Sequence, residues 1–193
     1  VRFDFPQSRK MDFFDSHLYW FEGKVFHKQG EIEQGNQCLT RALEIYPGNI
    51  DAFEEIAELT NKNKFPQDKF NKFTRAIIKH YQHKIDIEPF SSIHYYYLAS
   101  VYLVLEEPID EAINLIKQAL LLNPAVLGYQ ITLARLYAKN KRYQEAIAII
   151  KPLLNLRPYE KDYQELLEEF TNRVKDKDSN KANPPEKPKG SDY

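Results

Sequence analysis

The stretch ALLLNPAVLGYQITLARLYAKNKRYQEAIAIIKPLLNLRP, residues 119–158, decides the fold of this chain. It contains two short amphipathic runs, which end at Pro124 and Pro158, and these prolines are 34 residues apart. Pro89 precedes Pro124 by 35 residues, and Pro47 precedes Pro89 by 42. A period in this range predicts a stack of similar helical units, each of which buries its apolar face only against its neighbours.

The prolines also divide the chain into helices, because proline is tolerated in the first turn of a helix but not in its interior. Apolar residues spaced three and four apart, in a chain with only 6 glycines, favour helices throughout. Asn49, and Ser91 or Ser92, are predicted N-caps. The predicted helices are Ser16–Gln29, Ile32–Tyr46, Ile50–Lys62, Gln67–Ile87, Ser92–Leu105, Ile109–Leu122, Val126–Lys139, Tyr143–Leu156 and Tyr159–Lys175.

Composition is that of a soluble globular domain, with 42% hydrophobic and 28% charged residues among 193. The net charge of −1 lacks the basic excess of a phosphate-binding surface, so no nucleic-acid partner is expected. No apolar run approaches the ~18 residues needed to span a bilayer. The compartment stays open between cytoplasm and periplasm, since the sequence begins at Val1 and an upstream signal could have been removed.

Catalytic and metal-binding motifs are missing from the sequence. There is no phosphate-binding glycine-rich loop, no Gly-x-Ser-x-Gly and no His-Glu-x-x-His. His80 and His83 are three residues apart on a predicted helix, but they lack nearby cysteine or carboxylate partners for zinc. We therefore expect no enzyme activity, no metal and no cofactor.

Small and apolar residues recur at fixed positions in the predicted helix pairs. The fourth pair supplies Leu133, Ala134, Tyr137, Ala146, Ile150, Leu153 and Pro158. The third supplies Tyr95, Leu98, Ala99, Tyr102, Ala112, Ile116, Ala119 and Pro124, and the first supplies Tyr19, Gly23, Phe26, Gly35, Leu39, Ala42 and Pro47. This pattern resembles the tetratricopeptide repeat (TPR), a helix–turn–helix unit of 34 residues.

The resemblance implies an all-α fold, a right-handed α-solenoid of about four TPR-like helix pairs with a C-terminal capping helix. The predicted TPR domain covers residues 16–175, with repeats at about 16–49, 50–91, 92–126 and 127–158 and a cap at 159–175. Residues 1–15, which contain four phenylalanines, either pack on the first repeat or end a missing helix. Residues 176–193 are polar and are predicted to be disordered.

The second repeat departs from the family pattern. Lys69 stands where a small residue belongs, and the second helix is about two turns longer than its counterparts. Eight additional residues project about 12 Å at the helical rise. The sequence therefore predicts a protrusion near His80–Ile87, which is either a tolerated insertion or a contact ridge.

The family resemblance further implies a concave groove, lined by the first helix of each repeat, for an extended peptide or a helix. The corresponding residues are Trp20, Lys24, His27, Glu54, Glu58, Asn61, Tyr96, Ser100, Ile131, Arg135 and Lys139. Trp20 and Tyr96 are candidate anchors, because aromatic side chains dominate binding hot spots. Alternatively, Trp20 packs against Phe5 or Phe14.

Charges in the groove are segregated, with acidic residues in the second repeat and basic residues near the fourth. This is either a solvated face or a site for a ligand with opposite charges at its two ends. Glu54 and Glu55 stand where repeats that bind the acidic tails of chaperones need an uncharged residue. That sub-function is therefore disfavoured.

These features predict a non-catalytic protein-interaction module, an adaptor or assembly factor that binds a peptide or helix in its groove. The alternative is a structural subunit that contacts its neighbours through its edges and the long helix of the second repeat. A third possibility is binding of a small molecule or lipid in the groove. A structural subunit should expose apolar residues at its edges, whereas a peptide adaptor should expose Trp20 and Tyr96. The partner's identity and the oligomeric state are left open by the sequence.

Overall fold

The computed structural model describes the backbone of residues 6–182 and the side chains of residues 12–176, and this part of the chain is built from nine helices without a strand. The helices are α1 Pro6–Gln29, α2 Ile32–Ile45, α3 Ile50–Asn61, α4 Gln67–Ile87, α5 Ser92–Leu105, α6 Ile109–Leu122, α7 Leu127–Lys139, α8 Tyr143–Leu156 and α9 Lys161–Ala182. None of them combines the length and apolar character that a bilayer-crossing helix needs. The predicted all-α class is confirmed.

Both terminal helices are longer than predicted. α1 begins at Pro6 rather than near Ser16, because proline is favoured at the first helical position. α9 runs to Ala182, so residues 176–182 are helical where disorder was predicted. Extending an existing helix gains one backbone hydrogen bond per residue, and a polar segment can do so without burying anything. Residues 1–5 and 183–193 lie outside the described part of the chain, and the domain division stays a prediction.

The described residues form two compact units that divide between Asn123 and Pro124. In the first unit, α1 packs on α2, α5 packs on α6, and α4 packs on both α3 and α5. In the second unit, α8 packs on α7 and on α9. Each of the predicted pairs α1/α2, α3/α4, α5/α6 and α7/α8 therefore lies within one unit.

Glycines allow α1 and α2 to approach closely. A Cβ atom placed on Gly23 would lie 2.9 Å from Leu39 Cγ and 3.1 Å from the carbonyl oxygen of Gly35. Leu39 is itself fully buried in this contact. Gly23 and Gly35 thus fit the small-residue positions that the repeat pattern predicts.

The turns inside three of the helix pairs share one left-handed residue. Gly30, Asn63 and Lys141 have φ values of 85°, 56° and 58°. In each turn, the residue after the left-handed one donates its amide to the carbonyl oxygen five positions before itself. One example is the bond from Arg142 to Tyr137 at 2.8 Å. This pattern ends a helix with its last carbonyl groups satisfied, so the pairs turn alike although their sequences differ.

α4 has 21 residues, whereas α2, α6 and α8 have 14 each, so the predicted elongation is present. Its C-terminal part does not simply project into solvent. Tyr81 is buried, donates a hydrogen bond to the Gly48 carbonyl oxygen at 2.5 Å and packs on Tyr97 at 5.3 Å between ring centroids. Gln82, His83 and the last turn, with Ile87 52% exposed, do reach solvent.

Candidate functional site

A small acidic notch lies between α1 and α3 in the first unit. Its volume is about 220 Å³, and its lining residues are Trp20, Lys24, Asp51, Glu54, Glu55 and Glu58. Successive turns of α3 supply the four carboxylates, and α1 supplies the indole and the single ammonium group. The notch therefore carries a formal excess of negative charge beside an aromatic ring.

Lys24 shows what kind of group the notch accepts. Its Nζ atom lies 4.9 Å from the centroid of the Trp20 ring and 3.8 Å from a Glu55 oxygen. A cation over an indole is attracted by the negative face of the ring. A hydrogen bond from Lys62 lowers the pKa of Glu58, which keeps that carboxylate charged. The site is suited to a basic side chain.

Four of the sequence-predicted groove residues meet in this notch, namely Trp20, Lys24, Glu54 and Glu58. Trp20 is half-buried, and its Nε1 atom has no hydrogen-bond partner among the described residues. Its ring neighbour is His17, at 6.1 Å. Phe14 lies on another face of α1 and is 68% exposed, and Phe5 lies outside the described residues.

The structure places the other predicted residues elsewhere. His27 lies against Gly35 of α2, with both ring nitrogens buried and unpaired. Ser100 is buried, and Tyr96 is half-buried beside Tyr97. The family pattern predicts which helix carries a groove residue, but not how far that helix is rotated about its own axis. A residue at the edge of the predicted groove face can therefore lie against a neighbouring helix, as His27 does.

Of the remaining predicted residues, one lies at the end of α3 and three lie on α7. Asn61 is the last residue of α3 and is exposed. On α7 of the second unit, Arg135 and Lys139 are exposed and Ile131 is half-buried. These three belong to a compact unit of their own, and their part in a groove remains a prediction.

A row of large apolar side chains, here called the α1 stripe, lies exposed on α1. Its residues and their exposed fractions are Phe14 68%, Leu18 57%, Phe21 61% and Val25 37%. They are spaced four, three and four residues apart, which places them on one helix face. Ser16 and Gly23, which are buried against α2, lie on the opposite face. Exposed apolar patches of this kind mark interaction surfaces.

A second concavity, here called the α4 cavity, lies where the elongated end of α4 faces α1 and α2. Its volume is about 390 Å³, and its lining residues are Asp12, Phe13, Tyr46, His80, His83, Lys84 and Ile87. Burial, followed by the charges of Lys84, His94 and His83, lowers the pKa of His80 to about 4. His80 is therefore neutral at physiological pH.

Sequence reasoning missed the α1 stripe and the α4 cavity as sites. The spacing of the stripe is readable in the sequence, but the sequence does not say which face of α1 the other helices leave exposed. His80 and His83 were considered as a metal pair and as part of the protrusion predicted near His80–Ile87, but not as the wall of a cavity. Within the side chains the structure describes, no three His, Cys, Asp or Glu residues are grouped as metal ligands.

Comparison with known proteins points to one family. A sequence model described as tetratricopeptide repeat matches residues 103–169. Among solved structures, the chain resembles a thermophilic TPR protein from Thermus thermophilus, with a TM-score of 0.53, 16% identity and coverage of 82% of both chains. It also resembles a tetratricopeptide repeat protein from Parabacteroides merdae, with a TM-score of 0.54 and 18% identity, covering 86% of this chain and 62% of that one. No curated protein sequence matches the chain.

Proposed function

We propose that this chain, in which residues 103–169 match the tetratricopeptide-repeat model and whose fold resembles that of solved TPR proteins, is a non-catalytic protein-interaction module that serves as a subunit of a larger assembly. The family fold implies protein partners in general. The α1 stripe is the observation that carries the finer proposal. A structural subunit should expose apolar side chains at an edge, and the stripe does so, whereas Trp20 and Tyr96 are both half-buried.

The proposed occupant of the α1 stripe is an amphipathic helix of a partner protein. From Phe14 to Val25 the stripe covers eleven residue steps, or about 16 Å at the rise of an α-helix. Apolar residues spaced alternately four and three apart form the seam along which two helices pack side by side. Asp15 and Glu22 are exposed and lie along one flank of the stripe. A matching helix would therefore carry basic residues beside its apolar seam.

Site-specific photo-crosslinking tests this proposal. A benzoylphenylalanine in place of Leu18 should crosslink to an apolar, helix-forming segment of one partner protein in native extract. The same probe in place of Leu121, which is 76% exposed on α6, is the matched control and should give no such product. Leu18→Glu with Phe21→Glu should abolish capture while leaving the melting temperature nearly unchanged, since both side chains are exposed.

Two results would contradict the docking proposal. Capture that survives the Leu18→Glu, Phe21→Glu double change would remove the stripe from the interface. A crosslink from position 18 to a second copy of this chain would replace the partner helix with a homodimer. Either result leaves the interaction-module function itself standing, because that rests on the family fold.

A second candidate function is a peptide adaptor, and the acidic notch favours it. Lys24 already occupies part of the notch as an internal cation over Trp20. An incoming lysine or arginine side chain takes its place beside the indole, among the carboxylates of Glu54, Glu55 and Glu58. The ligand would be an extended basic peptide, and salt should weaken its binding because the charges are solvent-exposed.

Peptide titration separates the adaptor from the docking proposal. A labelled peptide with alternating lysine and glycine should bind, and Glu54→Lys with Glu58→Lys should reduce its affinity at least tenfold. Glu44→Lys, an exposed change on α2 away from the notch, is the control. Equal affinity in the double variant and the control variant would remove the notch as a binding site.

A further inference from the structure

The α4 cavity is separate from both surfaces in the proposed function. α1 contributes Phe13, the end of α2 contributes Tyr46, and the last two turns of α4 contribute the third wall. A helix of the usual 14 residues would end at His80 and would lack His83, Lys84 and Ile87 of this wall. The elongation that sets the second repeat apart therefore creates a cavity within the range of about 300–1,000 Å³ typical of ligand pockets.

The inner surface of the cavity is aromatic and fixed in place. Phe13 packs edge-on against Tyr46 at 5.7 Å, and Tyr46 packs edge-on against His80 at 5.2 Å between ring centroids. Phe13 remains 43% exposed and Ile87 52% exposed at the opening. Burying these surfaces under an apolar ligand group would be favourable, at roughly 25 cal/mol per Å².

The charges around the cavity are arranged unevenly. Lys84 and His83 line the α4 side, and His94 of α5 lies close enough to His80 to act on its charge. Glu88 sits between two of these side chains, 3.5 Å from Lys84 and 2.9 Å from His94, and so is already engaged. Asp12 lies on α1, across the opening. A negative group would be attracted to the α4 side and repelled from the α1 side.

We propose that the α4 cavity is a second binding site, for a peptide segment in which a large apolar side chain is adjacent to a carboxylate. The apolar side chain packs on Phe13, Tyr46 and Ile87. The carboxylate lies on the α4 side, beside Lys84 and His83. Asp12 sets the direction of the peptide, because it repels a carboxylate placed on the α1 side of the cavity.

Fluorescence polarisation with three labelled peptides tests the proposal on the full chain. The first peptide carries Leu-Phe-Asp-Glu between Gly-Ser linkers, the second replaces both acids with lysine, and the third replaces both apolar residues with serine. Only the first should bind. Lys84→Glu should weaken it at least tenfold and Ile87→Ser at least fivefold, whereas Lys79→Glu, an exposed change on the same helix outside the cavity, should leave it within twofold.

Three outcomes would overturn the site. These are equal binding of the lysine peptide, equal losses in Lys84→Glu and Lys79→Glu, or no binding of the first peptide up to millimolar concentration. Helical circular dichroism of each variant verifies that it is folded. The Leu18→Glu, Phe21→Glu variant should bind the peptide normally, so failure of the docking proposal and failure of this one are distinguishable.

Discussion

Asn49 donates a hydrogen bond from Nδ2 to the hydroxyl oxygen of Ser16 at 2.8 Å, although the two residues are 33 positions apart. Both are buried, with exposed fractions of 1% and 0%. The Ser16 hydroxyl in turn donates to the Ala42 carbonyl oxygen at 2.8 Å. Asn49 Oδ1 accepts from the Ala52 amide at 2.9 Å and so caps α3. One side chain thus starts the second helix pair and ties it to the first.

Replacing Asn49 with alanine should destabilise the chain by about 2–3 kcal/mol, which combines the loss of an N-cap with an unsatisfied buried hydroxyl at Ser16. Urea unfolding measures this change. Ser91→Ala is the matched control, since Ser91 precedes α5 as its N-cap residue but makes no capping bond with its side chain. A loss in Asn49→Ala no greater than in Ser91→Ala would show that the buried connection contributes nothing.

The shared left-handed turn predicts stability changes of opposite sign at Lys141 and Gly30. A left-handed backbone costs a non-glycine residue about 1 kcal/mol, so Lys141→Gly should stabilise by about 0.5–1 kcal/mol. Gly30→Ala should destabilise by a similar amount, because a Cβ atom there meets nothing within 4 Å and only the backbone conformation opposes it. Unfolding in guanidinium measures both. Stabilisation by Gly30→Ala would contradict the turn assignment.

The helix pairs could be predicted from the sequence because their limits are local. The prolines, the N-cap Asn49 and the apolar spacing act within a few residues, and α4, α5, α6 and α8 have the predicted bounds. The start of α1 was missed because the repeat pattern begins at Ser16, and the pattern outweighed the proline at Pro6. The end of α9 was missed because residues 176–182 are mostly polar and carry no apolar periodicity in the sequence.

The candidate sites could be predicted only in part. Glu54 and Glu58 are one turn apart on one helix, so their meeting with Trp20 follows once the pairing of α1 with α3 is known. The α4 cavity combines Phe13, Tyr46 and His80, which are distant in sequence, and no local pattern brings them together. His27 was misplaced because the family pattern does not fix the orientation of α1 about its axis, and the His27 ring lies against Gly35 instead of in the groove.

Two glycines should respond differently to the same substitution. A Cβ atom on Gly48 would lie 2.6 Å from His80 Nε2 and 2.8 Å from Tyr46 Cζ, so Gly48→Ala should destabilise by about 1–3 kcal/mol through overpacking. Gly128, in the first turn of α7, has nothing within 4 Å. Gly128→Ala should therefore stabilise by about 0.5–1 kcal/mol. Thermal unfolding compares them, and a neutral Gly48→Ala would mean that the His80 ring moves aside freely.

The pKa of His80 predicts how stability depends on pH. Burial, followed by Lys84, His94 and His83, lowers this pKa from its ordinary value of 6.5 to about 4. Between these values the unfolded chain binds a proton that the folded chain does not. The contribution of a neutral His80 is therefore fully present above pH 6.5 and is lost as the pH falls through 4.

His80→Gln removes this titration, so its unfolding free energy should decline less between pH 7 and pH 4.5 than that of the unchanged protein. His83→Gln is the comparison, because His83 is exposed on the same helix and makes the smallest of the contributions to the His80 pKa, so it should change the decline far less. The other titratable groups of the chain are common to His80→Gln and the unchanged protein, so the difference isolates His80. Urea titrations at four pH values measure it. Parallel curves for His80→Gln and the unchanged protein would show that the ring takes up its proton in the folded state as readily as in the unfolded one.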